Sequence, residues 1–260
     1  NESEYEFSVI NDNVIRFGLG AIKNLGEKAV EAIIEERREN GSYKNIFDLT
    51  KRLNLSACNK KSLETMAYAG AFDSFNNGNR AQYFSTYPDS SGITAIEKAI
   101  IYGKQYQQQN MNMQSLFNDT VEDNIIKEPE LPDCERWTKL QLLKAEKDVI
   151  GFYISGHPLD MYKLESELFK YNITISQLNE LLTSNNIDES WLNKDLLFMG
   201  IITDVSHKQT QKGDPMGIMT IEDYDSNIKI FLFSEEYVQF KSYMNEGWAI
   251  EVKGKIRESR

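Results

Sequence analysis

The apolar positions change their period along the chain. Over residues 21–39 they recur at helical spacing on either side of a tight turn at Asn24-Leu25-Gly26, which predicts two helical pieces. The second piece gathers Ala29, Val30, Ile33 and Ile34 on one face, sets Glu27, Glu31 and Glu35 opposite, and stops at Asn40-Gly41. A shorter amphipathic helix is expected over 59–69, with Leu63, Met66 and Ala67 inward and Gly70 at its end, and another over 93–107. From Gln107 to Glu135 the pattern collapses into Gln and Asn, then acidic residues with Pro129 and Pro132, which predicts a loop or linker. Helical spacing returns over 135–150 and, more weakly, over 159–182. Beyond 196 the pattern becomes strand-like. Phe198–Val205, Gly217–Glu222, Ile228–Phe233 and Ala249–Ile256 are short runs rich in Ile, Val, Met and Phe. Asp225-Ser226-Asn227 offers a hairpin turn, and a helix over 235–244 precedes the last run. That order suits a small Greek-key barrel of the OB type, which needs a fifth strand and is therefore expected to be incomplete at its C-terminal end.

The expected fold is α+β and multidomain: a helical helix-hairpin-helix region over 1–107, a loop over 108–135, a helical connector over 136–195 and an OB-type β-barrel over 196–260. The chain's 40 acidic and 29 basic groups give a net charge of −11, which taken whole argues against a protein lying along a phosphate backbone. The distribution changes that inference. Residues 1–104 carry 13 basic and 14 acidic groups, 105–195 carry 8 and 16, and 196–260 carry 8 and 10. The stretch 13–70 is locally positive, through Arg16, Lys23, Lys28, Arg37, Arg38, Lys44, Lys51, Arg52, Lys60 and Lys61. DNA contact thus belongs at the two ends of the chain and partner contact in its acidic middle. A composition 40% hydrophobic and 11% aromatic excludes a disordered acidic tail. No apolar run reaches the roughly 20 residues of a membrane span. Cys58 and Cys134, with no CxxC, fit a reducing cytoplasmic setting and exclude a disulfide framework or structural zinc. The first residue, Asn1, reads as that of a fragment of a longer chain.

Two segments carry candidate chemistry. In Ala21 to Val30 the turn offers backbone N–H groups to a DNA phosphate, with Asn24 and Gly26 at the two positions where left-handed geometry is wanted and Lys23 and Lys28 adding charge. An ordinary αα-corner has the same pattern. Lys60 and Lys61 offer a second phosphate contact, or simply a solvated helix start. Met113-Gln114-Ser115-Leu116-Phe117 sets an apolar pair in a polar stretch, the form of a linear peptide that docks into a partner's pocket, or of a loop tucked against its own domain. Asp223-Tyr224-Asp225 looks like a metal-binding pair but sits at a turn, where Asp is favoured for its own geometry. His157 lies too close to Ser155 in a Gly-Pro turn to serve it as a base. His207 reads as a polar-loop residue without ligand spacing. No phosphate loop or dinucleotide fingerprint is present. No catalytic residue, metal site or cofactor is expected.

Four segments, in this order, resemble the C-terminal part of the alpha-subunit family of the bacterial replicative polymerase, DNA polymerase III. They are Val14–Lys23 with the following turn, Asn59 to Asp73, the Gly151-Phe152-Tyr153-Ile154-Ser155-Gly156-His157-Pro158-Leu159 turn, and Thr210–Met216 with Ile221-Glu222-Asp223. The resemblance covers essentially the whole chain. It implies a non-catalytic part of a DNA-directed DNA polymerase, a nucleotidyltransferase of DNA replication whose catalytic carboxylates lie in an upstream palm. It implies that Met113, Gln114, Ser115, Leu116 and Phe117 bind the sliding clamp (the beta subunit), with Met113 where the family usually has Gln and Gln114 displaced by one. Lys23, Asn24, Gly26, Lys28, Lys60 and Lys61 would meet duplex DNA, and Lys208 and Lys212 single-stranded template, with other replisome subunits as further partners and no membrane. Phe231 and Phe233 are expected in the barrel core. The competing expectation is a protein-only interaction module of the replisome, with no direct DNA contact.

Overall fold

The computed structural model describes residues 1–75, 78–88, 92–115, 126–184 and 188–256. The chain divides into two compact units, Asn1–Ser155 and Gly156–Arg260.

The first unit opens with an antiparallel hairpin, β1 (Ser8–Asn11) and β2 (Val14–Arg16), followed by one 3-10 turn at Leu19–Ala21. Helices α1 (Glu27–Asn40), α2 (Ile46–Arg52), α3 (Lys60–Tyr68), α4 (Arg80–Phe84), α5 (Ala95–Ser115) and α6 (Lys139–Ile150) complete it. The expected faces of α1 and α3 are the buried ones, joined by Ile22, Leu25, Phe47, Tyr83 and Ile96 in a continuous core. Only the second of the two helical pieces expected over 21–39 is an α-helix. The first is the single 3-10 turn, because Gly18 and Gly20 lie against the backbone of Tyr5 and Glu6 and hold the chain close.

Helix α5 runs eight residues past the expected end at 107. Its apolar face packs on α2, where Gly103 lies so close to Thr50 that a Cβ there would sit 2.4 Å from the Thr50 carbonyl oxygen. Beyond that face polar contacts take over. The Gln107 amide donates to the carbonyls of Thr50, Lys51 and Leu53 at 3.2, 3.2 and 2.8 Å, capping the C-terminal end of α2. Gln is also a good helix former, so loss of the apolar pattern does not end the helix. The stretch 126–138 is irregular, three residues beyond the loop expected to end at 135, but it packs on the helices. Ile126 and Leu131 lie against the core, Asn45 donates to Glu128 at 2.7 Å, and Gln82 donates to the Pro132 carbonyl at 2.9 Å.

The second unit begins with a 3-10 turn at Pro158–Tyr162, then α7 (Lys163–Leu168) and α8 (Ile175–Thr183). Strands β3 (Leu196–Gln209), β4 (Pro215–Glu222), β5 (Asn227–Phe233) and β6 (Ala249–Gly254) form an antiparallel sheet in the order β5-β4-β3-β6, a curled half-barrel. Helix α9 (Ser234–Phe240) lies between β5 and β6, close to the expected position. Alternate residues of the strands (Phe198, Ile202, Met219, Ile221, Leu232) bury against Ile175 and Leu178 of α8 and Tyr237 of α9. Strand β3 is longer than its apolar run because its outer half, His207-Lys208-Gln209, keeps pairing with β4 after the core is left behind.

Candidate nucleic-acid interface

The turn before α1 is built by two buried anchors and one unusual backbone. Ile22 and Leu25 point into the core, the Leu25 N–H donates to the Ile22 carbonyl at 3.2 Å, and Asn24 between them takes a φ of +62°. Asn tolerates this left-handed region better than most residues, as the turn requires. Gly26 does not use positive φ, contrary to expectation. Its φ is −70° and ψ 148°, ordinary extended geometry, and it serves as the N-cap of α1 with open space where a side chain would be. That absence matters more than the dihedral. Asn45, Asn59, Asn79 and Thr138 cap α2, α3, α4 and α6, and Thr94 with Glu97 forms the reciprocal pair at α5. Among the described helices of the first unit only α1 starts without a side-chain cap; the Ala29 N–H donates to the Gly26 carbonyl at 2.9 Å, and the N–H groups of Glu27 and Lys28 and the positive end of the dipole stay open to an anion.

The cations around this opening are fewer than the sequence count implies. Arg16 pairs with Glu2, Arg37 and Arg38 with Glu4, Lys51 with Asp48, and Arg52 with Glu36 and Asp48. Lys60 donates to Glu97 at 2.9 Å and lies 3.6 Å from Glu64. That contact, with the Thr94 hydrogen bonds, pulls the Glu97 carboxyl down to about 2. Lys23, Lys28, Lys44 and Lys61 are left without an acidic partner among the described residues, and Lys23, Asn24, Gly26, Lys28 and Lys61 are all exposed. Lys23 is placed by α6: its N–H donates to the Val149 carbonyl at 2.8 Å and its ammonium to the Asp148 carbonyl at 3.3 Å. The turn therefore brings together Lys23, Asn24, Gly26 and Lys28, whereas Lys60 and Lys61 open a separate helix.

In the second unit Lys208 and Lys212 are exposed, Lys208 on β3 and Lys212 in the β3–β4 turn. Phe231 and Phe233 correct the expectation for them. They are 49% and 48% exposed, because Ile228, Ile230 and Leu232 take the inward positions of β5 and the strand's period of two turns the phenylalanines out. Across the ladder Phe233 stands beside Met216 and then Lys208, and Phe231 beside Ile218 and then Ser206. Two exposed rings and a lysine thus share the sheet's outer face.

The other sequence candidates have structural roles. Asp223 accepts the N–H groups of Asp225 and Ser226 at 3.1 and 2.9 Å and that of Ile175 at 2.7 Å, forming its own turn and holding the start of α8. His157 caps the 3-10 turn that follows it. His207 is not a loop residue: it lies in β3, and its Nδ1 is 3.1 Å from the Tyr237 hydroxyl. Among the described residues no three His, Cys, Asp or Glu side chains come together as a metal site. No described helix is long and apolar enough to cross a membrane. Met113, Gln114 and Ser115 fall in the last turn of α5 rather than in a loop, and Leu116 and Phe117 lie outside the described residues.

Comparison with known proteins agrees with this division. Residues 1–83 match a family model described as a helix-hairpin-helix motif, and residues 197–260 one described as an OB-fold nucleic acid binding domain. The chain is similar over 99% of its length, at 30% identity, to the DNA polymerase III subunit alpha of Xylella fastidiosa, of which it covers 21%. Against the subunit of the same name from Borreliella burgdorferi the identity is 32% over the whole chain and 21% of the relative, and against that from Thermus aquaticus 29% over 91% and 18%. The chain spans about a fifth of the length of these relatives.

Proposed function

We propose, from its end-to-end similarity to a segment of bacterial DNA polymerase III alpha subunits, that this chain is a non-catalytic, DNA-holding part of a replicative polymerase. The observation that carries the reading is the uncapped start of α1 beside Asn24, Lys23 and Lys28. A phosphate there would receive backbone N–H groups, a helix dipole and two lysines at once. Phe231, Phe233 and Lys208 supply what single-stranded template needs, rings on which bases stack and a cation for the backbone. Met113 to Phe117 is the segment that would reach the sliding clamp. Tethering by a clamp raises the effective concentration of DNA at the chain to roughly millimolar, so each individual grip can stay weak.

Titrating the affinity of the chain for duplex DNA against salt tests the reading. Lys23→Ala and Lys28→Ala are each expected to flatten the slope of log K against log salt by about 0.9. A chain whose duplex binding ignores salt, or ignores both changes, would instead be the protein-only module. Clamp capture is expected to be lost in the Leu116→Ala/Phe117→Ala double variant. Undiminished capture would remove the motif from the account.

A further inference from the structure

The C-terminal end of α6 closes on the turn before α1, and both belong to the first unit. The last four carbonyls of a helix have no partner inside it. Here the Lys147 carbonyl accepts the Gly151 N–H at 2.8 Å, and Lys23 supplies two of the others, donating its N–H to Val149 at 2.8 Å and its ammonium to Asp148 at 3.3 Å. The helix stops this sharply because Gly151 is left-handed, with a φ of +106°. A Cβ there would stand 3.8 Å from Cε and Nζ of Lys23. Residues 151–155 then fold back as a strap. Phe152 meets Phe17, on the approach to the turn, edge to face at 5.8 Å. The N–H groups of Ile154 and Ser155 donate to Glu146 Oε2 at 3.2 and 3.0 Å, and the Ser155 hydroxyl donates to Oε1. Glu146 is 1% exposed and is held by Arg80 at 2.9 Å, so the strap is anchored in the core.

We infer that the end of α6, closed by this strap, positions Lys23 for the phosphate, with Gly151 as the main positioning residue. Lys60 is held by the carboxylates of Glu64 and Glu97, which cancel its charge. Lys23 is held by carbonyl dipoles at the negative end of a helix, so its side chain is ordered while its charge stays available to an anion. A lysine ordered in advance loses less side-chain entropy when a phosphate arrives. The inference rests on the phosphate-holding role of the turn and gives residues 151–155 a part in it.

Amide hydrogen exchange and duplex affinity of the full chain test it in a double-variant cycle. Gly151→Ala puts a Cβ on a left-handed backbone, which should unwind the last turn of α6 and release Lys23. The Lys23 amide is then expected to exchange at least about tenfold faster relative to that of Met66 in α3. Duplex affinity at low salt is expected to fall about threefold, and to fall no further when Gly151→Ala is added to Lys23→Ala. Gly151→Asn, which tolerates left-handed geometry better, should recover part of both effects. If Gly151→Ala unfolds the first unit, Phe152→Ala makes the same test by removing a half-exposed ring from the strap. A Lys23 amide no faster relative to Met66, or an equal loss of affinity with and without Lys23, would overturn the inference and leave phosphate binding standing. Duplex binding indifferent to Lys23→Ala would overturn the role of Lys23 at the phosphate, and the inference with it.

Discussion

Glu146→Ala is expected to destabilise the first unit by about 3 kcal/mol, the lower end of the range for removing one partner of a buried ion pair. The side chain sits in the core beside Arg80, itself 9% exposed, and its two oxygens take four donors: the Arg80 guanidinium, the Ser155 hydroxyl, and the N–H groups of Ile154 and Ser155. Truncation strands the Ser155 hydroxyl and the two N–H groups and takes one of two counter-charges from Arg80. The cost stays at the low end because Asp73 also holds Arg80, at 2.6 Å, so the guanidinium keeps one counter-charge. Asp73 is half exposed, and Asp73→Ala is expected to cost only about 1 kcal/mol. The midpoint of urea unfolding measures both, and equal shifts for the two variants would contradict the assignment. The pH dependence follows from the same contacts. Burial pushes the Glu146 carboxyl up, but the Ser155 hydrogen bonds and Arg80 together outweigh it and hold the group below its ordinary value. A depressed folded-state pKa adds stability that is complete above the ordinary glutamate range and is lost as the pH falls through the folded-state value. Acid should therefore unfold the unaltered chain more steeply than Glu146→Gln.

The parts of the fold legible in the sequence are those where burial has one face. Helices α1 and α3 and the β3–β6 sheet carry a clear period and lie near their expected positions. Helix α2 was hidden because Ile46, Phe47, Asp48, Leu49 and Thr50 are all buried, and a helix covered on every side shows no polar stripe. Helix α4 is too short to display a period, and the β1–β2 hairpin has exposed apolar residues on both strands. Its Asn11-Asp12-Asn13 turn between two apolar runs was the available signal. The chemistry divides in the same way. The turn at Asn24 is a local feature and could be read locally. Charge pairing is not local: Glu4 reaches Arg37 and Arg38, and Glu97 reaches Lys60, so a count of basic residues overstates the cations a phosphate would meet. The outward phenylalanines of β5 failed for a third reason. Phe231 and Phe233 alternate with equally apolar Ile230 and Leu232, so hydrophobicity alone leaves the strand's inward face undecided.

Gly26→Asp separates phosphate binding from folding. The extended backbone of Gly26 accepts any residue, nothing stands within 4 Å of the new Cβ, and Asp is a favoured N-cap. The variant should hold or gain a few tenths of a kcal/mol in stability as its carboxylate caps the open N–H groups of α1. The same carboxylate would occupy the place proposed for a DNA phosphate and repel it. The affinity of the chain for duplex DNA at low salt is expected to fall about tenfold, with Gly26→Asn, a cap without charge, lying between. A Gly26→Asp chain that is at least as stable as the original and binds duplex DNA equally well would contradict the phosphate-holding role of this turn.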